Sequence, residues 1–337
     1  MDKLLEQVKK NIYDNNLIEN GDIIIVGVSG GPDSVFLLHA LSSLKDIIYK
    51  EKNINYTLHT AHINHMIRQE ASFDANLAKR LADECSATFH LLEVDVEAEA
   101  KRLKIGTEEC GRNIRYEFFE QVKKTVGGTK VAVAHNAGDN AETIILNFIR
   151  GAGINGLSGM DAKSANNIIR PILNISKKDI LEYLNANNIE YAIDKTNLEN
   201  DYTRNKVRND LIHKIEEEYN PNIINALNRM ATVNKLDLEI IQEAVEEKYK
   251  ALNVKKEQYK IYISTKEFNK NSTAMKYQLI RRIITELCGN IQCVEMIHIK
   301  DTCKLLEASI TGKQYILGNK YKVVIEKKNI AVFVKNV

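Results

Sequence analysis

The apolar and polar positions of this 337-residue chain fall into two regimes. From Asp22 to Val28, DIIIVGV is a continuous apolar run, and YTLHTAHI (56 to 63), ATFHLLEV (87 to 94) and VAVAH (131 to 135) repeat the signature of buried strands. Between them the apolar spacing changes to three and four residues. This predicts an amphipathic helix at 3 to 16, then helices at 33 to about 46, about 70 to 85, 107 to 126 and through AETIILNFIRG. Strands alternating with helices predict an α/β domain: a parallel sheet with helices on both faces and ligands at the carboxyl ends of the strands. A further helix, 176 to 187, follows Ile169-Arg170-Pro171-Ile172.

From about residue 216 the pattern changes. Long Lys/Glu-bearing helices are expected at 222 to 250 and 272 to 288, a shorter one near 294 to 308, and short strands at 314 to 317, 321 to 326 and 330 to 334. Pro221 interrupts the polar stretch Glu216 to Asn222, which is the expected boundary between domains 1–216 and 217–337, the second smaller and mostly helical with short terminal strands.

Composition and charge sharpen this division. The net charge of +2 hides an asymmetry: from Val245 to Val337 there are 18 Lys+Arg against 9 Asp+Glu, so the tail carries +9 and the rest −7. A basic domain behind an acidic one suggests a polyanion larger than a nucleotide, with nucleic acid the usual choice and a solvated lysine-rich surface the plain alternative. No apolar run reaches the roughly 18 residues of a membrane span, and the charged N-terminus is no signal sequence, so a soluble cytoplasmic protein is expected. Five scattered cysteines form no CxxC pair, which argues against a zinc ribbon or an iron–sulfur site.

Chemistry concentrates just after the strands. Ser29-Gly30-Gly31-Pro32-Asp33-Ser34 follows the first one: the glycines let backbone approach a ligand, the next helix offers N–H groups and its positive end, and the serines add donors. A carboxylate beside a polyphosphate repels it unless a cation intervenes, so Asp33 is expected to hold Mg²⁺; the alternative is a plain turn with Asp33 as N-cap. The loop lacks the Lys that closes a Walker A sequence, GxxxxGK(S/T), and the spacing of GxGxxG. After the second strand, His62, Asn64, His65 and Arg68 are candidates for adenine, phosphate or a nucleobase edge. Arg112, beside Gly111 at the expected start of a helix, is the better phosphate candidate of the pair Arg112 and Arg115. His135, Asp139 and Glu142 share one strand end, the two acids one helical turn apart, and suggest a site for a metal or an ammonium group, with dipole complementation as the alternative.

The SGGPDS loop resembles that of the PP-loop ATP pyrophosphatases, which cleave ATP between the α- and β-phosphates. Together with HINHMIR, EECGRNIRYEFF, AHNAGDNAET, GAGINGLSGM, IRPIL, Asp194-Lys195-Thr196-Asn197 and Tyr202-Thr203-Arg204-Asn205-Lys206-Val207-Arg208, it resembles the tRNA(Ile) lysidine synthetases over residues 22 to about 215. Asn136, Gly138 and Asn140 depart from that family's usual residues. The resemblance implies ATP and Mg²⁺, a tRNA(Ile) with a CAU anticodon, and free L-lysine. It assigns Ser29 to Ser34, His62, Arg112 and His135 to the nucleotide, with Asp33 on the metal. Asp139 and Glu142 fall to the lysine cation, and Asn64, His65, Arg68, Arg204, Asn205 and Arg208 to RNA or phosphate. It also implies a further C-terminal domain that is absent from this chain, which ends soon after its last short strands. A homodimer is compatible with the sequence. The rivals are a PP-loop tRNA thiolase, which needs a persulfide cysteine or a bound cluster, and a non-catalytic ATP- or RNA-binding module.

Overall fold

β1 (Asp22–Gly27) is apolar on both sides because both sides are covered. In the computed structural model, which describes residues 2–64, 71–192, 203–289, 294–317 and 321–335, Ile24 and Val26 point into one core with Leu37, Leu41 and Ile172, while Ile25 points into another with Phe118, Phe119 and Val122. Two-sided burial removes the alternation of a half-exposed strand and leaves the continuous apolar run. Truncating Ile25 to Ala would cost about 2–5 kcal/mol.

The chain divides into two compact units, Met1–Asn234 and Lys235–Val337. In the first, β1 is joined by β2 (Tyr56–Asn64), β3 (Thr88–Glu93), β4 (Lys130–Ala132) and β5 (Ile168–Ile169) in the order β3-β2-β1-β4-β5, every pairing parallel. The helices are α1 (Lys3–Asp14), α2 (Pro32–Lys52), α3 (Ala71–Glu84), α4 (Val96–Leu103), α5 (Thr107–Val126), α6 (Ala137–Ile149), α7 (Ile154–Leu157), α8 (Lys177–Ala186), α9 (Thr203–Lys206), a π-helical turn (Val207–Ile212), α10 (His213–Glu218) and the first part of α11 (Ile223–Lys250). Strand order runs outward from β1 to β3 and then returns to β4 on the other side of β1. That reversal opens a crevice between the loops after β1 and β4, where ligands of such sheets bind.

The predicted strands and helices of this unit are present, and β5, α4, α7, α9, α10 and the π-turn are additions to them. The expected boundary at Glu216 to Asn222 differs from the division observed. The first turns of α11 stay with the first unit because Ile223, Ile224 and Leu227 pack on Ile145, Val207 and Ile212.

In the second unit the antiparallel sheet is larger than the terminal strands predicted. β6 (Lys255–Glu257) and β7 (Lys260–Ser264) join β8 (Gln314–Leu317), β9 (Tyr321–Lys327) and β10 (Ile330–Lys335) in the order β6-β7-β10-β9-β8. α12 (Thr265–Asn269), α13 (Thr273–Cys288) and α14 (Met296–Ala308) complete it, with Ile280, Ile283, Ile284, Ile299 and Leu306 packed on Ile263, Val323, Ile325 and Phe333. Among the described residues, no helix is long and apolar enough to cross a membrane.

Candidate active site

The loop after β1 is held by its own side chains. Gly30 takes φ +86°, a left-handed conformation that favours glycine, and Pro32 opens α2 at its first position, where its missing N–H costs nothing. The buried Ser34 hydroxyl accepts from Ser29 N at 3.1 Å and donates to the Gly31 carbonyl at 2.9 Å, with the Ser29 hydroxyl 3.2 Å away. His62 lies at the end of β2, 2.8 Å through Nδ1 from the Val28 carbonyl; the ring is buried, which lowers its pKa, and it braces the strand that leads into the loop. Asn64 is likewise buried and donates to Glu93 at 3.3 Å. His65 and Arg68 lie outside the described residues.

Across the crevice, Asn136 caps α6. Its side-chain oxygen accepts from the N–H groups of Gly138 and Asp139, and Asp139 Oδ2 accepts from Asn136 N at 3.0 Å, a reciprocal capping box. The same Asn136 donates through Nδ2 to Asp33 Oδ1 at 3.1 Å, so one side chain joins the loop after β4 to the loop after β1. Asp33 Oδ2 accepts from Lys177 Nζ at 2.6 Å.

Asp139 and Glu142 are one turn apart on α6 as expected, and two arginines occupy them. Arg204 donates to Glu142 Oε2 (2.9 Å) and Asp139 Oδ1 (3.2 Å); Arg208 donates to both Glu142 oxygens and to Asp139 Oδ1 (3.0 Å). Burial alone would lower the Arg208 pKa, but the Glu142 hydrogen bond and the charges of Glu142, Asp139 and Asp33 raise it above its ordinary value. Arg208 sits in the π-turn, four residues after Arg204, so both reach the same acids. Asn205 lies half-buried on α9 between them.

His135 sits beside this network with Nδ1 buried and, among the described residues, without a hydrogen-bond partner. Burial pushes its pKa down to about 4; Asp139 opposes the shift while Arg170, Arg204 and Arg112 reinforce it, so the ring is neutral at pH 7. Arg112 is in the second turn of α5 and not at its start, because the helix begins at Thr107. Its exposed guanidinium lies 5.2 Å from the Tyr116 ring centroid, and its charge acts on both His135 and Arg170.

Lys177, Arg170 and Asn136 are the site residues that sequence reasoning missed. Arg170 stands one residue past β5, a strand-end position like the others, and that signal was available. Lys177 had none: Ser176-Lys177-Lys178-Asp179 reads only as a helix start. Asn140, which departs from the family pattern, is structural: it donates to Asn228 at 2.7 Å and accepts from Met160 N at 2.6 Å.

The donor set fits Mg²⁺ in one way. Among the described residues, no three His, Cys, Asp or Glu side chains cluster to hold a metal, but magnesium commonly takes one carboxylate plus substrate phosphates and water, and Asp33 offers that carboxylate at the phosphate loop.

A parallel sheet with this loop at its switch point defines a PP-loop nucleotide-binding domain, and the PP-loop domain model matches residues 1–215. A tRNA(Ile)-lysidine synthase from Clostridioides difficile (strain 630) is 36% identical over 328 residues, 97% of this chain and 70% of that protein. Another from Clostridium tetani (strain Massachusetts / E88) is 38% identical over 98% of this chain and 69% of its own length. The chain belongs to the tRNA(Ile)-lysidine synthase family, ATP-dependent ligases built on a PP-loop domain. Among solved structures, a U34-tRNA thiolase from Methanococcus maripaludis with its 4Fe-4S cluster matches with a TM-score of 0.52 at 17% identity, over 69% of this chain and 79% of that one, a likeness of fold alone.

Proposed function

We propose that the protein ligates free L-lysine to C2 of the wobble cytidine in the CAU anticodon of tRNA(Ile), in the cytoplasm, in two steps. ATP lies on the loop 29–34 with its phosphates toward the N-terminus of α2, and the C2 oxygen of cytidine attacks the α-phosphorus, releasing pyrophosphate. The ε-amine of lysine, after losing a proton, then attacks C2 and displaces AMP. The product reads AUA in place of AUG. Asp33 holds Mg²⁺, which when bound neutralises the charge gathering on pyrophosphate. Asp139 and Glu142 hold the lysine ammonium and one of them takes its proton, while Arg112, Arg204 and Arg208 serve phosphate and RNA.

The observation that carries this reading is the placing of Asp33, Asn136, Asp139 and both arginines at one switch point, with hydrogen bonds running from the phosphate loop to the acid pair. No protein nucleophile is required. A sulfur-transferring alternative is disfavoured by Cys110, which is fully buried on α5 against Val96 and Ala100. Incubating the protein with ATP, radiolabelled lysine and bulk tRNA should give acid-precipitable label and AMP in equal amounts. AMP release without labelled tRNA would rule out the lysine step.

A further inference from the structure

The phosphate loop has no lysine of its own, yet a lysine stands on it. Lys177 comes from the first position of α8, directly after its N-cap Ser176, where the positive end of the helix dipole disfavours a cation. Its ammonium nonetheless reaches Asp33 Oδ2 at 2.6 Å. Asn136 fills the other oxygen, so the carboxylate expected to receive a metal ion is fully engaged. The two partners differ in freedom. Asn136 is buried and locked as the cap of α6, whereas the Lys177 side chain is 45% exposed on a four-carbon stem, and Asp33 is 28% exposed.

An ammonium and a divalent cation repel each other and compete for one carboxylate oxygen. When Asp33 receives the metal, Lys177 must leave Oδ2, and a polyphosphate bound on the same loop would offer it a new negative charge. We propose that Lys177 is a charge-exchange residue: it neutralises Asp33 in the nucleotide-free enzyme and moves to the β- or γ-phosphate oxygens when Mg²⁺ and ATP arrive. A lysine from a distant helix thereby supplies the phosphate contact that a Walker A loop carries within its own sequence. The inference rests on the reading of Asp33 as the metal-bearing carboxylate.

The test uses the whole chain, the non-cleavable analogue α,β-methylene-ATP and isothermal titration calorimetry on wild type, Lys177→Met, Lys177→Arg and Asp33→Asn. In Lys177→Met, the Mg²⁺ concentration for half-maximal analogue binding should fall, because a competitor for Asp33 is gone. Affinity at saturating Mg²⁺ should weaken about tenfold, as expected for the loss of one charge-assisted hydrogen bond to phosphate. Lys177→Arg should recover most of that affinity. Two effects of opposite sign separate exchange from simple support. If Lys177→Met matches wild type in both quantities, the pair is only a surface ion pair; if both worsen together, Lys177 merely positions Asp33; either result overturns the exchange. Asp33→Asn isolates the underlying reading. A wild-type metal demand in that variant would remove Asp33 as metal ligand, and the exchange with it. A lost metal demand there, with Lys177→Met unchanged, would sink the exchange alone.

Discussion

Arg204 places Nε 2.9 Å from Oε2 of Glu142, a carboxylate whose side chain is only 3% exposed. The acid pair therefore already holds cations, and any substrate ammonium bound there takes the place of a guanidinium. Glu142→Gln leaves both arginines short of a buried counter-charge, so it should lower stability by about 1–3 kcal/mol. It should also raise the lysine concentration needed for half-maximal ligation, and Asp139→Asn should do the same, each slowing ligation more than adenylation. The check is lysine dependence measured beside pyrophosphate release. If both variants lost adenylation and kept normal lysine dependence, the acids would be acting through Arg204 and Arg208 on ATP.

Asp33→Asn keeps the hydrogen bond from Asn136 available but removes the charge that faces Lys177. AMP and pyrophosphate formation should fall by about a hundredfold or more, the scale on which a preorganised charge acts at a transition state, while ATP binding weakens far less. Rapid-quench assays with labelled ATP measure the first and equilibrium dialysis the second. Near-normal turnover would take Asp33 out of the chemistry.

The sheet and the phosphate loop were legible because their signals are local: continuous apolar runs alternating with three- and four-residue spacing, and a Gly-Gly loop after the first run, need no knowledge of partners. The cross-links of the site were not. Lys177 meets Asp33 across 144 residues, and Arg208 meets Glu142 across 66, so their pairing depends on strand order and on a π-turn that nothing in Val-Arg-Asn-Asp-Leu-Ile announces. The contact-based division falls later than Pro221 for a related reason. The pattern of α11 is continuous through Asn234 and Lys235, so composition alone marks the polar turn before the helix. All three residues of β6 are exposed, and Lys255-Lys256-Glu257 has no apolar face to betray it.

His135 gives a pH signature. Its folded pKa is about 4 against about 6.5 when exposed, so between those values the unfolded chain binds the extra proton. Stability from this residue is therefore complete above about pH 6.5 and is lost as pH falls toward 4, by at most about 3 kcal/mol. His39, His59, His62 and His90 are lowered in the same direction by burial and add to the slope. His135→Gln should flatten the dependence of urea unfolding on pH across this window. An unchanged slope would show that the ring titrates alike in the folded and unfolded chain.

Gly159 takes φ +67°, and a β-carbon there would lie 2.4 Å from Asn140 Oδ1, the atom that accepts from Met160 N. Gly159→Ala combines backbone strain with a displaced buried amide, so a loss of about 2–4 kcal/mol is expected in thermal or urea unfolding. Asn140→Ala in the same background should relieve part of the clash, and the two changes should be non-additive.

The basic unit offers the last test. Lys235–Val337 carries 19 Lys+Arg against 12 Asp+Glu, and a polyanion held by such contacts releases counterions. Filter binding of tRNA over a range of KCl should give a log–log slope of about −3 or steeper. Where the chain is cut matters. Removal from Pro221 onward strips Ile223, Ile224 and Leu227 from the core that seats Val207 and Ile212, and removes the Asn228 partner of Asn140, costing ~3–6 kcal/mol and loosening the segment that carries Arg204 and Arg208. Removal after Asn234 keeps those contacts, and should preserve ATP binding while tRNA affinity falls. Charge reversal will not test Arg282, which is held by Glu246 and Glu286 and lies 4.7 Å from the Tyr249 ring centroid, so Arg282→Glu should destabilise the unit instead. Arg281→Glu is the informative variant, and tRNA affinity that ignores both salt and the loss of residues 235–337 would show that the charge is only a solvated surface.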